Sequence, residues 1–204
     1  CGQNKVVIAN CAIFVTIKTG YVVDSADGGI TGSSSGGAII NCLSAVNIVG
    51  KDGGQNTVTT KCGGIAGWCD TRTTMRNNLV IGTIDLSDYV ECASISRNPG
   101  QVQNDNANNK KGHYLQNFYK NLYNDGSKGV QVTDAQLASG EVCYKVNAGL
   151  ATPQWTQNPG DAYPMPLPTY GQTVGASVAC DCLGRFAEGT TPTYAFGGGV
   201  ASET

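Results

Sequence analysis

The sequence predicts an all-β chain: a short irregular parallel β-solenoid, β-helix-like, with a small helical cap and a Pro-rich strap. Three observations carry this. Glycine is abundant, at 28 of 204 residues, while glutamate occurs only at 91, 141, 188 and 203; helices favour the opposite balance. An apolar–variable–Asn mark recurs four times, at 8–12, 39–43, 75–79 and 115–119, with asparagines 31, 36 and 40 residues apart. Between the marks lies a second one, Gly28-Gly29-Ile30, Gly63-Gly64-Ile65 and a worn Ala93-Ser94-Ile95. A fixed-order repeat of this length is the signature of a stacked array, in which each unit buries its apolar face only against its neighbours.

Each mark has a physical role. Asparagine tolerates left-handed backbone angles at a corner, and its amide can bond the backbone or the asparagine of the next repeat. Asn10, Asn41, Asn77 and Asn117 are therefore expected to stack as a ladder, the alternative being four independent turn-formers. Gly-Gly before Ile lets the chain turn tightly and pass close to the next repeat. Alternating or β-branched runs follow each Asn, at 12–17, 43–49 and 79–86, and read as strands. The array so defined spans 1–132.

Nine cysteines suit a disulfide-permissive, extracellular compartment. Stacking places Cys11 over Cys42 and Cys62 over Cys92, about 4.8 Å apart, inside the Cα window for a disulfide. Both pairs are candidate bridges, with buried free thiols as the alternative. The odd count leaves a thiol free or paired elsewhere, and the partners of Cys1, Cys69, Cys143, Cys180 and Cys182 stay open. The start at Cys1 is expected to reflect a processed or excised form.

Beyond the array, Thr133 is an expected N-cap for a short helix over 134–138 ended by Gly140, with a second over 141–146. Residues 153–170 hold five of the seven prolines and form the strap, so 133–172 is expected to cap the array's last edge. The tail, 173–204, is rich in glycine; it folds back on its own array or serves as an assembly arm, with Val174–Cys180 adding as a strand to another subunit. Residues 99–112 read as an exposed polar loop.

The segment Cys62-Gly63-Gly64-Ile65-Ala66-Gly67-Trp68, with Arg76-Asn77-Asn78-Leu79 and Gly82-Thr83-Ile84, resembles the GLUG-type repeats of bacterial surface proteins. Leu137–Asn147, Pro153–Gln157 and Asp161–Pro164 are similar to the block that closes such arrays in secreted proteins of gut bacteria. The resemblance covers roughly 5–172. It implies a β-solenoid-like repeat, export and a cell-surface role; the family has no agreed catalytic residues to carry over.

Several chemistries are excluded or thinly provided for. Charged residues are 14% and the net charge is -2, which gives no basic field for nucleic acid. No apolar run reaches the ~18 residues of a membrane helix. No metal is expected, because Cys62/Cys69 and Cys180/Cys182 lack zinc spacing and His113 is the one histidine. His113 reads as a surface residue rather than the base of a triad. Asp85, Asp88 and Glu91 could form a glycosidase or lyase cluster; Asp24 with Asp27, and Asp125 beside Gly126, do not fit a calcium loop. No phosphate loop occurs, and no cofactor is expected.

Aromatic residues offer two readings. Trp68, Tyr114, Trp155 and Tyr163 could stack on sugar rings or contact a partner, or Trp68 and Tyr119 could fill the core while Trp155 pins the strap. The expected function is a non-catalytic surface or adhesion protein that self-assembles as a filament or array. The alternatives are a carbohydrate-binding module of a larger secreted protein and a polysaccharide-cleaving β-helix enzyme.

Overall fold

A computed structural model describes residues 3–4, 6–19, 26–50, 61–70, 72–86, 92–97, 114–124 and 126–197. The expectations placed on Cys1, Asp24, Asp88, Glu91, His113, Asp125, the 99–112 loop and Gly198-Gly199 lie outside the described residues. The chain divides into two units, Cys1–Gln131 and Val132–Thr204, so residues 133–172 and the described tail share one unit.

The described residues of the first unit form strands and no helix. Its first rung holds β1 (Gln3–Asn4), β2 (Val7–Ala9), β3 (Ala12–Ile13) and β4 (Thr16–Thr19). The second holds β5 (Asp27–Gly28), β6 (Thr31–Ser34), β7 (Ala38–Ile40), β8 (Leu43–Ser44) and β9 (Asn47–Gly50). The third holds β10 (Cys62–Gly63), β11 (Ala66–Cys69), β12 (Thr74–Arg76), β13 (Leu79–Val80) and β14 (Thr83–Asp85). The fourth holds β15 (Cys92–Ala93), β16 (Tyr114–Leu115) and β17 (Phe118–Tyr119), and β18 (Val130–Gln131) follows.

Strands at the same place in successive rungs pair side by side. The orders are β1-β6-β11, β5-β10-β15, β2-β7-β12-β16, β4-β9-β14 and β3-β8-β13-β17-β18. All of these pairings are parallel. Parallel neighbours in one sheet must be separated by a crossover; here strands of the other sheets lie along it, except between β17 and β18, which residues 120–129 connect. The arrangement is β-helix-like.

The register stacks like on like. Ile8, Ile39, Met75 and Tyr114 form one column, and Ile17, Ile48 and Ile84 another. Ile30 donates its N–H to Ile65 O and Ile65 to Ile95 O, at 2.9 and 2.7 Å, which makes a third. Ile39, Ile48, Ile65 and Ile95 are fully buried, each contributing about 1.5–3 kcal/mol of transfer free energy. The Gly-Gly corner explains its own composition. A Cβ on Gly64 would lie 2.3 Å from Ser94 O and 2.6 Å from Val80 Cγ1, so the interior has no room for alanine there.

In the second unit, α1 (Asp134–Ala138) starts at a capping box in which Thr133 and Gln136 bond each other's backbone. Gly140 then takes φ 87° and lets α2 (Glu141–Asn147) begin at once. Asn147 ties the strap to α2: its Oδ1 accepts from the Gln154 and Trp155 N–H groups, and its Nδ2 donates to Trp155 O. Trp155 is fully buried. The tail has its own partner. β19 (Val174–Ala176) runs antiparallel to β20 (Tyr194–Phe196), and Tyr144 of α2 meets the rings of Phe186 and Tyr194. Val174–Ala176 is thus paired on one edge within its own chain. Among the described residues no helix is long and apolar enough to cross a membrane.

Candidate functional site

The polar interior of the stack holds two adjacent columns. The first is the corner column. Asn10, Asn41, Asn77 and Gln116 all adopt left-handed φ, between 52° and 57°. Asn41 Nδ2 donates to Asn10 Oδ1 at 3.1 Å. The fourth expected member is corrected: Gln116, not Asn117, takes the corner, because Arg76 pairs with Leu115 and the register therefore sets Asn77 opposite Gln116.

Asn117 belongs one step on, in the second column, with Cys11, Cys42 and Asn78. Its pattern repeats rung by rung. Asn117 Nδ2 donates to Met75 O at 3.0 Å, and Asn78 Nδ2 donates to Ile39 O at 2.9 Å. Asn117 Oδ1 accepts the Asn78 N–H, and Asn78 Oδ1 accepts the Cys42 N–H, at 3.2 and 2.9 Å. Each amide therefore satisfies a donor and an acceptor of the rung before it, and both asparagines are buried. Sequence reasoning passed over Asn78 and Gln116. The signal was present as a dipeptide, a corner residue followed by Cys or Asn, in Asn10-Cys11, Asn41-Cys42, Asn77-Asn78 and Gln116-Asn117.

The cysteines split. Cys62 and Cys92 stand opposite each other in β10 and β15 and are disulfide-bonded, with Cα atoms 4.5 Å apart. The expected Cys11–Cys42 bridge is corrected: both are free thiols. They share a register position and the two thiols act on each other, yet each also reaches a carbonyl. Cys11 Sγ lies 3.2 Å from Ala9 O, and Cys42 Sγ lies 3.3 Å from Ile40 O. Burial pushes the Cys42 and Cys143 thiols up to about 12. Burial also raises the Cys69 thiol, although Tyr114 Oη lies 3.0 Å from its sulfur and favours the thiolate.

The aromatic candidates divide between the two units. Trp68 on β11 and Tyr114 on β16 are half-buried in the first unit, and Tyr163 is half-buried in the second. Tyr114 is engaged internally by Cys69, by Ser96 Oγ at 3.3 Å and by Lys128 over its ring. Trp155, at 0% exposure, is excluded as a contact residue and corrected to a core side chain. Asp85 is exposed on β14, and Asp27 accepts a hydrogen bond from Thr19 Oγ1.

A last group closes the stack beyond the fourth rung. Ser94 Oγ donates to Asn121 O at 3.0 Å and accepts the Tyr123 N–H at 2.8 Å. The worn Gly-Gly copy is thereby explained: in the final rung a side chain at that corner has room and a partner. Sequence reasoning had read Ser94 only as decay of the repeat. Compared with known proteins, the chain matches no family model, no curated protein and no solved structure.

Proposed function

We propose that this chain is a non-catalytic module of an extracellular bacterial surface protein, a short irregular parallel β-solenoid of GLUG type that serves adhesion and self-association. The supporting observation is the Cys62–Cys92 bridge, which joins stacked rungs across 30 residues. Structural disulfides persist in oxidising compartments. The buried amides support the same reading, because Asn78 and Asn117 spend their polar groups on rung-to-rung bonds. A rigid stack of this kind presents long side faces to a partner.

Trp68 favours a second reading, a carbohydrate-binding module. It stands partly exposed on β11, in register with Ser33, and an indole face stacks on sugar rings. A polysaccharide-cleaving enzyme would need a carboxylate facing Asp85, and nothing described argues for one.

The test is surface labelling of intact producing cells with an antibody to this chain, alongside protease shaving. Labelled and shaved protein is the expected result. Protein confined to the reducing cytoplasm overturns the reading. Glycan-array binding abolished by Trp68→Ala would move the second reading to first place.

A further inference from the structure

The strap of the second unit carries two turns fixed side by side. Thr156 and Met165 exchange both backbone hydrogen bonds, at 3.0 and 2.9 Å, and Gln157 and Gln172 do the same, at 3.0 and 3.1 Å. The first turn, 158–161, is closed by the Asp161 N–H on Asn158 O at 3.0 Å and by the Asn158 N–H on Asp161 Oδ2 at 2.8 Å. The second, 167–170, is closed by the Tyr170 N–H on Leu167 O at 3.0 Å. Thr156 Oγ1 clamps it, donating to Leu167 O at 2.7 Å and accepting the Gly171 N–H at 3.0 Å. The backbone that carries these side chains is therefore fixed before any ligand arrives, which lowers the ordering cost of binding.

The two turns bring a ring, a carboxylate and an amide together. The Tyr170 hydroxyl interacts with the Asp161 carboxylate, the Asn158 amide and Tyr163. Tyr170 is 43% exposed and Leu167 48%, whereas Trp155 of the same strap is fully buried. Among the described residues no second ring meets Tyr170, while Tyr144, Phe186 and Tyr194 of the same unit meet one another. Lys145 and Arg185 pair with Glu141 and Asp181, and among the described residues no cation pairs with Asp161. From Ala151 to Gln172 it is the one charged residue. An exposed ring beside a carboxylate with no cation contributes little to packing.

We propose that Asn158, Asp161, Tyr163, Leu167 and Tyr170 form a binding site for a neutral hexopyranose unit of a glycan. The inference rests on the adhesion reading for the source of its ligand, names the ligand class and makes no use of Trp68. A pyranose has an apolar C–H face, which lies on the Tyr170 ring and the Leu167 side chain. Its rim hydroxyls both donate and accept. The Asp161 carboxylate has lone pairs left to accept them, and the Asn158 amide both donates and accepts. Acidic sugars are repelled by Asp161, because no cation offsets it. A quaternary ammonium group suits the ring and the carboxylate but offers the amide no acceptor. One sugar unit on one such platform binds on the order of millimolar, and repeated units or copies raise the avidity.

The experiment applies the purified full chain to an array of neutral and sialylated oligosaccharides, with Tyr170→Ala, Tyr170→Phe, Asp161→Asn and Trp68→Ala beside it. Tyr170 is exposed, and near-UV circular dichroism establishes folding of each variant. The expected result is binding to neutral hexose-bearing oligosaccharides and not to sialylated ones. That binding falls about tenfold or more in Tyr170→Ala, falls less in Tyr170→Phe, which keeps the ring, and persists in Trp68→Ala. Nuclear magnetic resonance on the unmodified chain gives a second measurement: the Tyr170 ring signals shift as the best neutral oligosaccharide of the array is added. No neutral binding, a preference for acidic glycans, indifference to Tyr170→Ala, or displacement by tetramethylammonium but not by free hexose overturns the inference. A chain that binds no neutral glycan yet is displayed on cells overturns the site alone and leaves the surface reading intact. Neutral-glycan binding by a chain confined to the cytoplasm supports the site and overturns the surface reading.

Discussion

Asn78 Nδ2 donates to Asn117 Oδ1 at 2.9 Å, joining the third rung to the fourth through two buried side chains. The same amides serve backbone groups of the rung before, so truncation orphans several partners at once. Asn78→Ala leaves the Cys42 N–H and Ile39 O without their bonds, while Asn117 Oδ1 keeps only the backbone N–H of residue 78. At roughly 1–3 kcal/mol for an unsatisfied buried group, a loss of about 3 kcal/mol or more is expected in urea unfolding. Asn10→Gly is the control. Asn10 is exposed and left-handed, a conformation glycine adopts freely, so only the bond from Asn41 Nδ2 is lost and the cost should be about 1 kcal/mol.

These columns mark the boundary of what the sequence could show. Asn10, Asn41 and Asn77 are corner residues as read, because left-handed corners select asparagine and the spacing repeats. The fourth corner escapes that logic, since glutamine has no special left-handed preference and Gln116 is placed by the register of β12 with β16. The thiols show a second limit. Stacking of Cys11 on Cys42 follows from register, as it does for Cys62 on Cys92, but register alone does not set which stacked pair is bonded. The closing segment, Asn121 to Lys128, carries no repeat mark. Its role is visible only once Gly82, Ile84 and Ser94 are seen to face it.

The Cys62–Cys92 bond should matter more than any other cysteine. It closes 30 residues, and in the chain-entropy model a loop of that size is worth about 3.5 kcal/mol. The Cys62→Ala, Cys92→Ala double variant should lose about that much in urea unfolding, with circular dichroism unchanged before the transition. Cys11→Ala, at an exposed free thiol, should change stability by less than about 0.5 kcal/mol. Equal losses in the two variants would argue against the bond as a staple.

Burial of Cys42 and Cys143 predicts a specific alkaline instability. Both thiols sit at about 12 in the folded chain against an ordinary 9.0. Below pH 9 both states hold the proton, and the stabilising contribution is complete. Above it the unfolded chain ionises while the folded chain does not, so stability falls as pH climbs from 9.0 toward 12. The urea midpoint should decline between about pH 8 and 10.5, and the Cys42→Ala, Cys143→Ala double variant should show a shallower decline. Native iodoacetamide labelling should mark the exposed Cys11 and Cys182 and spare the buried Cys42 and Cys143. Parallel slopes in the two proteins would assign the decline to other groups.

The late end should be what stops growth, and removing its closure tests that directly. Asn121→Ala with Tyr123→Ala strips the partners from Gly82 O and the Ile84 N–H and uncovers the core cluster around Leu86. The fourth rung then has an open edge, which invites edge-to-edge association, and head-to-tail stacking of copies is heterologous and does not close. Light scattering and electron microscopy should show assemblies that lengthen with concentration in this variant and not in the parent. Tyr123→Phe separates the two contributions of that side chain. It keeps the ring over the core and removes only the hydroxyl acceptor, so it should cost about 1–3 kcal/mol without causing growth. If the double variant folds and keeps the parent's size, the Asn121–Tyr123 closure is not what limits assembly.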